Sequence, residues 1–141
     1  MKKYKSIIDT YDPVLYPDLL IVVKNTTVEQ LNKKYSTASG DNITEDYLGY
    51  GYACVTFCAT RRKDNRKCII VYQPCGLNKI DKNALINATH EAGHYVMEVF
   101  RDISAELSYN YQEPFCYLLQ WAATNIYNTL NKKDNGSKRK K

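Results

Sequence analysis

Residues 81 to 103 read DKNALINATHEAGHYVMEVFRDI, and this stretch decides the fold. Its apolar residues recur every three or four positions, which predicts a long α-helix starting at Asp81 with one apolar face. Such a face has to be covered by another layer of secondary structure. The apolar positions are Ala84, Leu85, Ala88, Ala92, Val96, Val99 and Ile103.

The same predicted helix carries the only two histidines of the chain, His90 and His94, within the pentapeptide HEAGH. Residues four apart lie one above the other on the same face of a helix. Two imidazoles so placed can bind one Zn²⁺, and Glu91 beside them can take a proton from a metal-activated water. Gly93 costs a helix about 1 kcal/mol relative to alanine, which favours a functional reason for the small residue.

The segments before this helix predict a sheet. Ser6–Asp9 is a short strand candidate, and Leu19–Lys24 is an apolar, β-branched run of strand length. Thr26 or Thr27 can cap a helix, with Glu29 or Gln30 as the capping-box partner, and we predict that this helix extends to Tyr35. Residues 36 to 51 are polar and contain glycine, which predicts a loop. The two β-rich runs that follow, 52 to 61 and 67 to 73, predict an antiparallel hairpin.

A last helix is predicted from Gln112 to Asn131, with Pro114 tolerated in its first turn. The sequence therefore predicts an α+β fold, a small mostly antiparallel sheet packed on the histidine helix and a C-terminal helix. The length of 141 residues and the absence of internal repeats predict one domain over residues 1 to 131. Residues 132 to 141 are predicted to form a disordered basic tail.

The net positive charge of the chain lies in that tail. Residues 132 to 141 carry six positive charges and one negative, so residues 1 to 131 carry 14 of each and net to zero. A short basic run is a weak signal for nucleic-acid binding, and we expect a solvated end instead. The basic start of the chain has no apolar segment behind it, and no apolar run has the roughly 20 residues that span a membrane. We therefore expect a cytoplasmic protein without a membrane partner.

Five cysteines, an odd number, are expected to be reduced thiols in such a compartment. Four of them could also be interpreted as a structural metal site. Their spacings lack a C-x-x-C pair, so buried thiols are the favoured interpretation. These four are Cys54, Cys58, Cys68 and Cys75.

Two histidines leave a catalytic zinc site one ligand short, because such sites usually take three protein ligands and keep a fourth position for water. Glu113 is the predicted third ligand, since it follows His94 by 19 residues and opens the next helix. Glu98 lies on the same helical face as His94. It would therefore lie in line with the two histidines instead of approaching the ion from another side. Asp102 and Glu106 have no recognised spacing. Phe100 stands where a metzincin has its third histidine.

The pattern His90-Glu91-x-x-His94 followed by Glu113 resembles that of the gluzincin metallopeptidases, and the order of elements resembles a minimal zincin core. This resemblance covers roughly residues 50 to 131. It implies that His90, His94 and Glu113 bind Zn²⁺ and that Glu91 is the general base. The segment QEPFCYLLQW, residues 112 to 121, is also similar to small zincin-like proteins of phages and mobile elements.

Two features depart from the gluzincin pattern. Many large gluzincins have an aspartate four residues after the third ligand, where this chain has Tyr117. This chain also has no third histidine to stabilise an oxyanion, so a tyrosine is expected to take that role. The candidates are Tyr109, Tyr111, Tyr117 and Tyr127.

We thus predict a zinc-dependent metallopeptidase whose substrate is a peptide or protein. The strand Lys67–Gln73 precedes the histidine helix, and as an edge strand it could bind a peptide by β-addition. The alternative is a zinc-binding protein without catalytic activity, which serves a phage or mobile element as a structural or host-interaction protein.

Overall fold

The computed structural model of the protein describes residues 4 to 49 and 51 to 133. The fold is α+β, as predicted. A short 3₁₀ helix, Glu45–Leu48, precedes the fourth strand. The five strands are β1 (Ile7–Tyr11), β2 (Leu19–Lys24), β3 (Tyr35–Thr37), β4 (Val55–Arg61) and β5 (Arg66–Gln73), and the helices are α1 (Val28–Asn32), α2 (Ala84–Asp102) and α3 (Glu113–Leu130).

The five strands form one sheet in the order β1-β2-β5-β4-β3. Three neighbouring pairs are antiparallel, and β2 with β5 is the one parallel pair. The hairpin of β4 and β5 and the strand β2 confirm the sequence prediction. The described chain contains no helix that is both long enough and apolar enough to cross a membrane.

The prediction that Lys67–Gln73 is an edge strand was wrong. This segment lies within β5, the middle strand of five, and it pairs with β2 on one side and β4 on the other. The physical reason is its composition, since Ile69, Ile70 and Val71 are fully buried and need a sheet neighbour on both sides. A strand with both sides paired cannot take up a peptide by β-addition.

Both faces of the two central strands are buried, which explains their uninterrupted apolar runs. Alternate residues of β2 and β5 face opposite ways. Leu20, Val22, Ile69 and Val71 belong to the core that the sheet shares with α2 and α3. The residues between them belong to a second core on the other side, together with Leu31 of α1.

The helix α1 begins where predicted and ends early. Thr27 caps it and forms a capping box with Gln30. The prediction that the helix reaches Tyr35 was wrong, because Tyr35 starts β3 and pairs with Arg61. A non-local strand pairing that the local pattern does not show thus overrides the helical pattern, and the predicted loop over residues 36 to 51 contains the rest of β3 and the 3₁₀ helix.

The two long helices pack side by side in opposite directions. Phe115, near the start of α3, contacts Phe100, near the end of α2, with ring centroids 5.9 Å apart. Further along α3, the ring centroid of Trp121 lies 6.0 Å from that of Tyr95, which is earlier on α2. These two contacts fix which turn of α3 lies beside which turn of α2.

The C-terminal end of α3 is bonded to the sheet. Lys24 donates to the carbonyl oxygens of Leu130 and Lys132, and Lys132 pairs with Asp9 at 2.6 Å. The packed body therefore includes Lys132, one residue past the predicted boundary. Most of the predicted basic tail, residues 134 to 141, lies outside the described residues.

Candidate active site

The two histidines lie side by side on the exposed face of α2. Their Nε2 atoms are 3.2 Å apart, their ring centroids are 4.9 Å apart and their planes meet at 69°. This placement follows from helix geometry alone, because residues four apart are neighbours on the helix surface. Both imidazoles can therefore offer a nitrogen to the same ion.

Glu91 points away from that face and towards the sheet. Its side chain is buried, at 4% exposure, and Thr56 of β4 donates a hydrogen bond to its Oε2 atom. A buried carboxylate needs such a partner, since an unpartnered buried charge is strongly unfavourable. Thr56 thus fixes one carboxylate oxygen next to the histidines.

One cavity of about 220 Å³ is lined by the two histidines, Glu91 and residues at the start of β4. It lies between the middle of α2 and the start of β4, and its lining includes His90, Glu91 and His94 together. The remaining lining residues are Tyr52, Cys54, Val55 and Thr56. A site with two imidazoles, one carboxylate and one phenol can bind a metal ion, accept a proton and donate a hydrogen bond.

Cys54 is the thiol in this cavity, and its surroundings do not activate it as a nucleophile. Burial, and then the charge of Glu91, raise the pKa of Cys54 to about 12. The thiolate is the reactive form of cysteine, so a thiol with this pKa is unreactive near neutral pH. Cys54 and Cys68 are buried free thiols, while Cys75 is exposed.

Tyr52 reaches the cavity because a glycine lies beneath it. Gly49 has φ +59°, and a Cβ atom there would lie 2.8 Å from both the Tyr52 ring and Val55. Only glycine combines this backbone conformation with this close approach. Gly93, in contrast, faces open space, since a Cβ there would meet nothing within 4 Å.

Glu113 is the predicted site residue that the structure does not bring to the histidines. It is the first residue of α3 and is exposed. Phe115, two residues later, lies against Phe100, which is six residues or about 9 Å along the helix axis past His94. Within the described part of the chain, no three His, Cys, Asp or Glu residues are grouped so that they could hold a metal ion.

The carboxylates at the C-terminal end of α2 have other partners. Glu98 accepts from the Cys58 thiol and pairs with Arg101. Asp102 lies beside Asp18, which is 1% exposed. Burial, the hydrogen bond to Asp102 and the charges of Asp102 and Glu98 raise the pKa of Asp18 to about 7. This end of α2 therefore forms a separate acidic cluster.

Two residues of the cavity, Tyr52 and Thr56, were missed by the sequence analysis. Alternation along β4 places Thr56 on the same face as Cys54 and Cys58, which is the one signal that could have identified it. Tyr52 carries no such signal. The four tyrosines that the sequence suggested as oxyanion donors are all exposed, and none of them lines the cavity.

Comparisons with known proteins give no match. No match to this chain was found among protein families, curated proteins or solved structures.

Proposed function

We propose that the protein is a zinc-dependent metallopeptidase, with His90 and His94 as zinc ligands and Glu91 as the general base. The observation that supports this most is the distance of 3.2 Å between the two Nε2 atoms. Zinc–nitrogen bonds of about 2.0–2.1 Å at a tetrahedral angle separate two ligand nitrogens by roughly 3.3–3.4 Å. The separation of the two nitrogens is therefore close to the separation that a shared Zn²⁺ requires.

Zinc, when bound, supplies a Lewis acid that polarises the scissile carbonyl and brings the pKa of water towards about 7. Glu91 does the proton transfer. Thr56 holds its Oε2 atom, which leaves Oε1 to accept a proton from the attacking water and to pass it to the leaving amine. Burial of Glu91 keeps this transfer away from bulk solvent.

Tyr52 is the proposed hydrogen-bond donor to the oxyanion. It is the tyrosine that lines the cavity with the histidines and Glu91. A phenol has one O–H donor, which is what an oxyanion requires. A donor aimed at the developing negative charge typically contributes several kcal/mol to the transition state.

The outer side of β4 replaces β5 as the proposed peptide-binding edge. Residues Val55–Cys58 pair with β5 on one side, while β3 pairs only with Ala59–Arg61 on the other. Among the described residues, the outer side of Val55–Cys58 has no strand neighbour. An extended peptide added there would pass the histidine–glutamate cavity, because Val55 and Thr56 line it.

Glu113 is not required by this proposal. It does not line the cavity with the histidines, and the contact between Phe100 and Phe115 holds the start of α3 beside the far end of α2. His90 and His94 would hold the ion, and water would complete its coordination. The cytoplasmic location stays a prediction from the cysteine content.

The direct test compares wild type with Glu91→Gln, each loaded with one equivalent of Zn²⁺. Glu91→Gln is expected to retain zinc, because the ligands are the histidines, and to lose peptide hydrolysis by about 10²–10⁴-fold, the usual contribution of a general base. Hydrolysis of a mixed peptide library is followed by mass spectrometry. Full activity in Glu91→Gln would refute the role of Glu91.

The second candidate is a zinc-binding protein without catalytic activity. The observation that favours it is that the described residues supply two metal ligands and no third. Catalytic zinc usually has three protein ligands, so a two-histidine site could instead complete its coordination with a partner. Wild type that binds zinc and cleaves no peptide of the library would support this candidate.

A further inference from the structure

A second cavity adjoins the candidate active site. Its volume is about 320 Å³, and it lies between the 3₁₀ helix, the end of β5 and the segment before α2. Tyr52 lines both cavities, so the two are neighbours. This volume is at the lower end of the roughly 300–1,000 Å³ typical of small-ligand pockets, which suits a single side chain.

The walls of this second cavity combine apolar surface with negative charge. Leu48, Tyr72 and Leu77 are among its lining residues, together with the carboxylates Glu45 and Asp81. Burial, and then the charge of Cys75 and of Glu45, raise the pKa of Tyr72 to about 12, so its phenol adds no negative charge near neutral pH. No lysine or arginine is among the described residues that line the cavity.

Both carboxylates are available to a ligand. The side chains of Glu45 and Asp81 make no hydrogen bond or ion pair with any described residue. Two other surface carboxylates are paired, Asp12 with Arg66 and Asp64 with Arg61. An apolar pocket with two unpaired carboxylates has the complement of a lysine or arginine side chain, which is an apolar stem ending in a cation.

We infer that this cavity is a specificity pocket that binds a lysine or arginine side chain of the peptide substrate next to the cleavage site. The inference rests on the proposed peptidase function. The apolar walls would cover the methylene stem, while Glu45 and Asp81 would pair with the cationic head. An acidic side chain in the same pocket would meet two like charges, so the pocket selects by repulsion as well as by attraction.

The test uses the full zinc-loaded chain and a set of alanine-based octapeptides that differ by one residue, which is lysine, arginine, leucine or glutamate. Wild type is expected to cleave the lysine and arginine peptides with a kcat/KM roughly 10-fold above that of the leucine peptide, the effect of about 1.4 kcal/mol. The glutamate peptide is expected to be cleaved least.

The variant Glu45→Gln/Asp81→Asn removes both charges with little change of shape. It is expected to abolish the preference for cationic peptides, so that the lysine, arginine and leucine peptides are cleaved with similar kcat/KM. The charge reversal Glu45→Lys/Asp81→Lys is expected to favour the glutamate peptide. Asp46→Asn is the matched control, because Asp46 lies beside Glu45 on the same 3₁₀ helix and does not line the cavity.

A binding measurement separates failure of the pocket from failure of the peptidase. The dissociation constants of the lysine and leucine peptides are measured by calorimetry with Glu91→Gln, which cannot turn them over. A lysine preference that disappears in the Glu45→Gln/Asp81→Asn background supports the pocket even if wild type cleaves nothing. Equal binding and equal cleavage of both peptides, or a preference that survives the double variant, would overturn the inference.

Discussion

Carboxylates lie at two places on α2: in its middle and at its C-terminal end, where the chain turns towards α3. The surroundings of the two groups differ. In the middle, one buried carboxylate, Glu91, accepts from a hydroxyl group and has two imidazoles beside it. At the end, Glu98, Asp102 and Asp18 crowd together with one guanidinium, and Glu113 is exposed at the start of α3.

This difference shows that the pairing of the two histidines depends on local geometry, while the placement of Glu113 depends on tertiary packing. A spacing of four residues is sufficient to place two histidines together. The position of Glu113 depends instead on which turn of α3 meets which turn of α2. The ring contacts place Trp121 beside Tyr95 and so align the start of α3 with the far end of α2.

The largest expected effect separates the two glutamates. Glu91→Ala is expected to lower peptide hydrolysis by about 10²–10⁴-fold, because it removes the base. Glu113→Ala is expected to leave hydrolysis within about 3-fold of wild type, since Glu113 is exposed and away from the cavity. Initial rates on one peptide at saturating zinc measure both. A loss in Glu113→Ala as large as that in Glu91→Ala would break the comparison and restore the ligand role that the sequence predicts.

The next effect concerns Thr56, which fixes Glu91. Thr56→Val removes the hydroxyl group at constant shape and is expected to lower kcat by roughly 10–100-fold, a typical result of losing an outer hydrogen-bond partner. Thr56→Ser keeps the hydroxyl group and should recover most of that loss. Zinc affinity is measured alongside and should not change, because the hydroxyl group of Thr56 donates to Glu91. Equal kcat in the valine and serine variants would show that the hydroxyl group positions nothing.

The last prediction tests the acidic end of α2 through stability instead of activity. The pKa of Asp18 is raised by folding to about 7, so the folded protein holds a proton that the unfolded chain releases near pH 4. The contribution of Asp18 to stability is therefore fully present below about pH 4 and decreases as pH rises to 7, by up to about 1.4 kcal/mol per pH unit.

Asp18→Asn should flatten this slope, and urea unfolding between pH 4 and pH 8 measures it. Asp46→Asn, which removes an exposed carboxylate, serves as the control. If the slope in Asp18→Asn equals that of wild type, Asp18 does not carry the proton.

Much of this molecule could be predicted from its sequence, and the failures share a cause. The apolar run of β2, the hairpin of β4 and β5 and the two long helices are local patterns. The pairing of Tyr35 with Arg61, the central position of β5 and the placement of Glu113 are contacts between distant segments. Periodicity does not encode such contacts, because they depend on how finished elements pack.

The same distinction applies within the site. His90, Glu91 and His94 form one motif on one helix and were identified together. Thr56 and Tyr52 join them from a strand and a loop about 35 residues earlier, with no motif of their own. Their roles become visible only when the sheet is packed against α2.

The most direct test of the central claim is a calorimetric titration of the full chain with Zn²⁺ near pH 7.5, for wild type, His94→Ala and Glu98→Ala. We predict one zinc per chain for wild type and Glu98→Ala. Affinity in His94→Ala should be at least ~100-fold lower, because a ligand matters more than an outer partner. No saturable binding by wild type, or equal affinity in wild type and His94→Ala, would contradict the account.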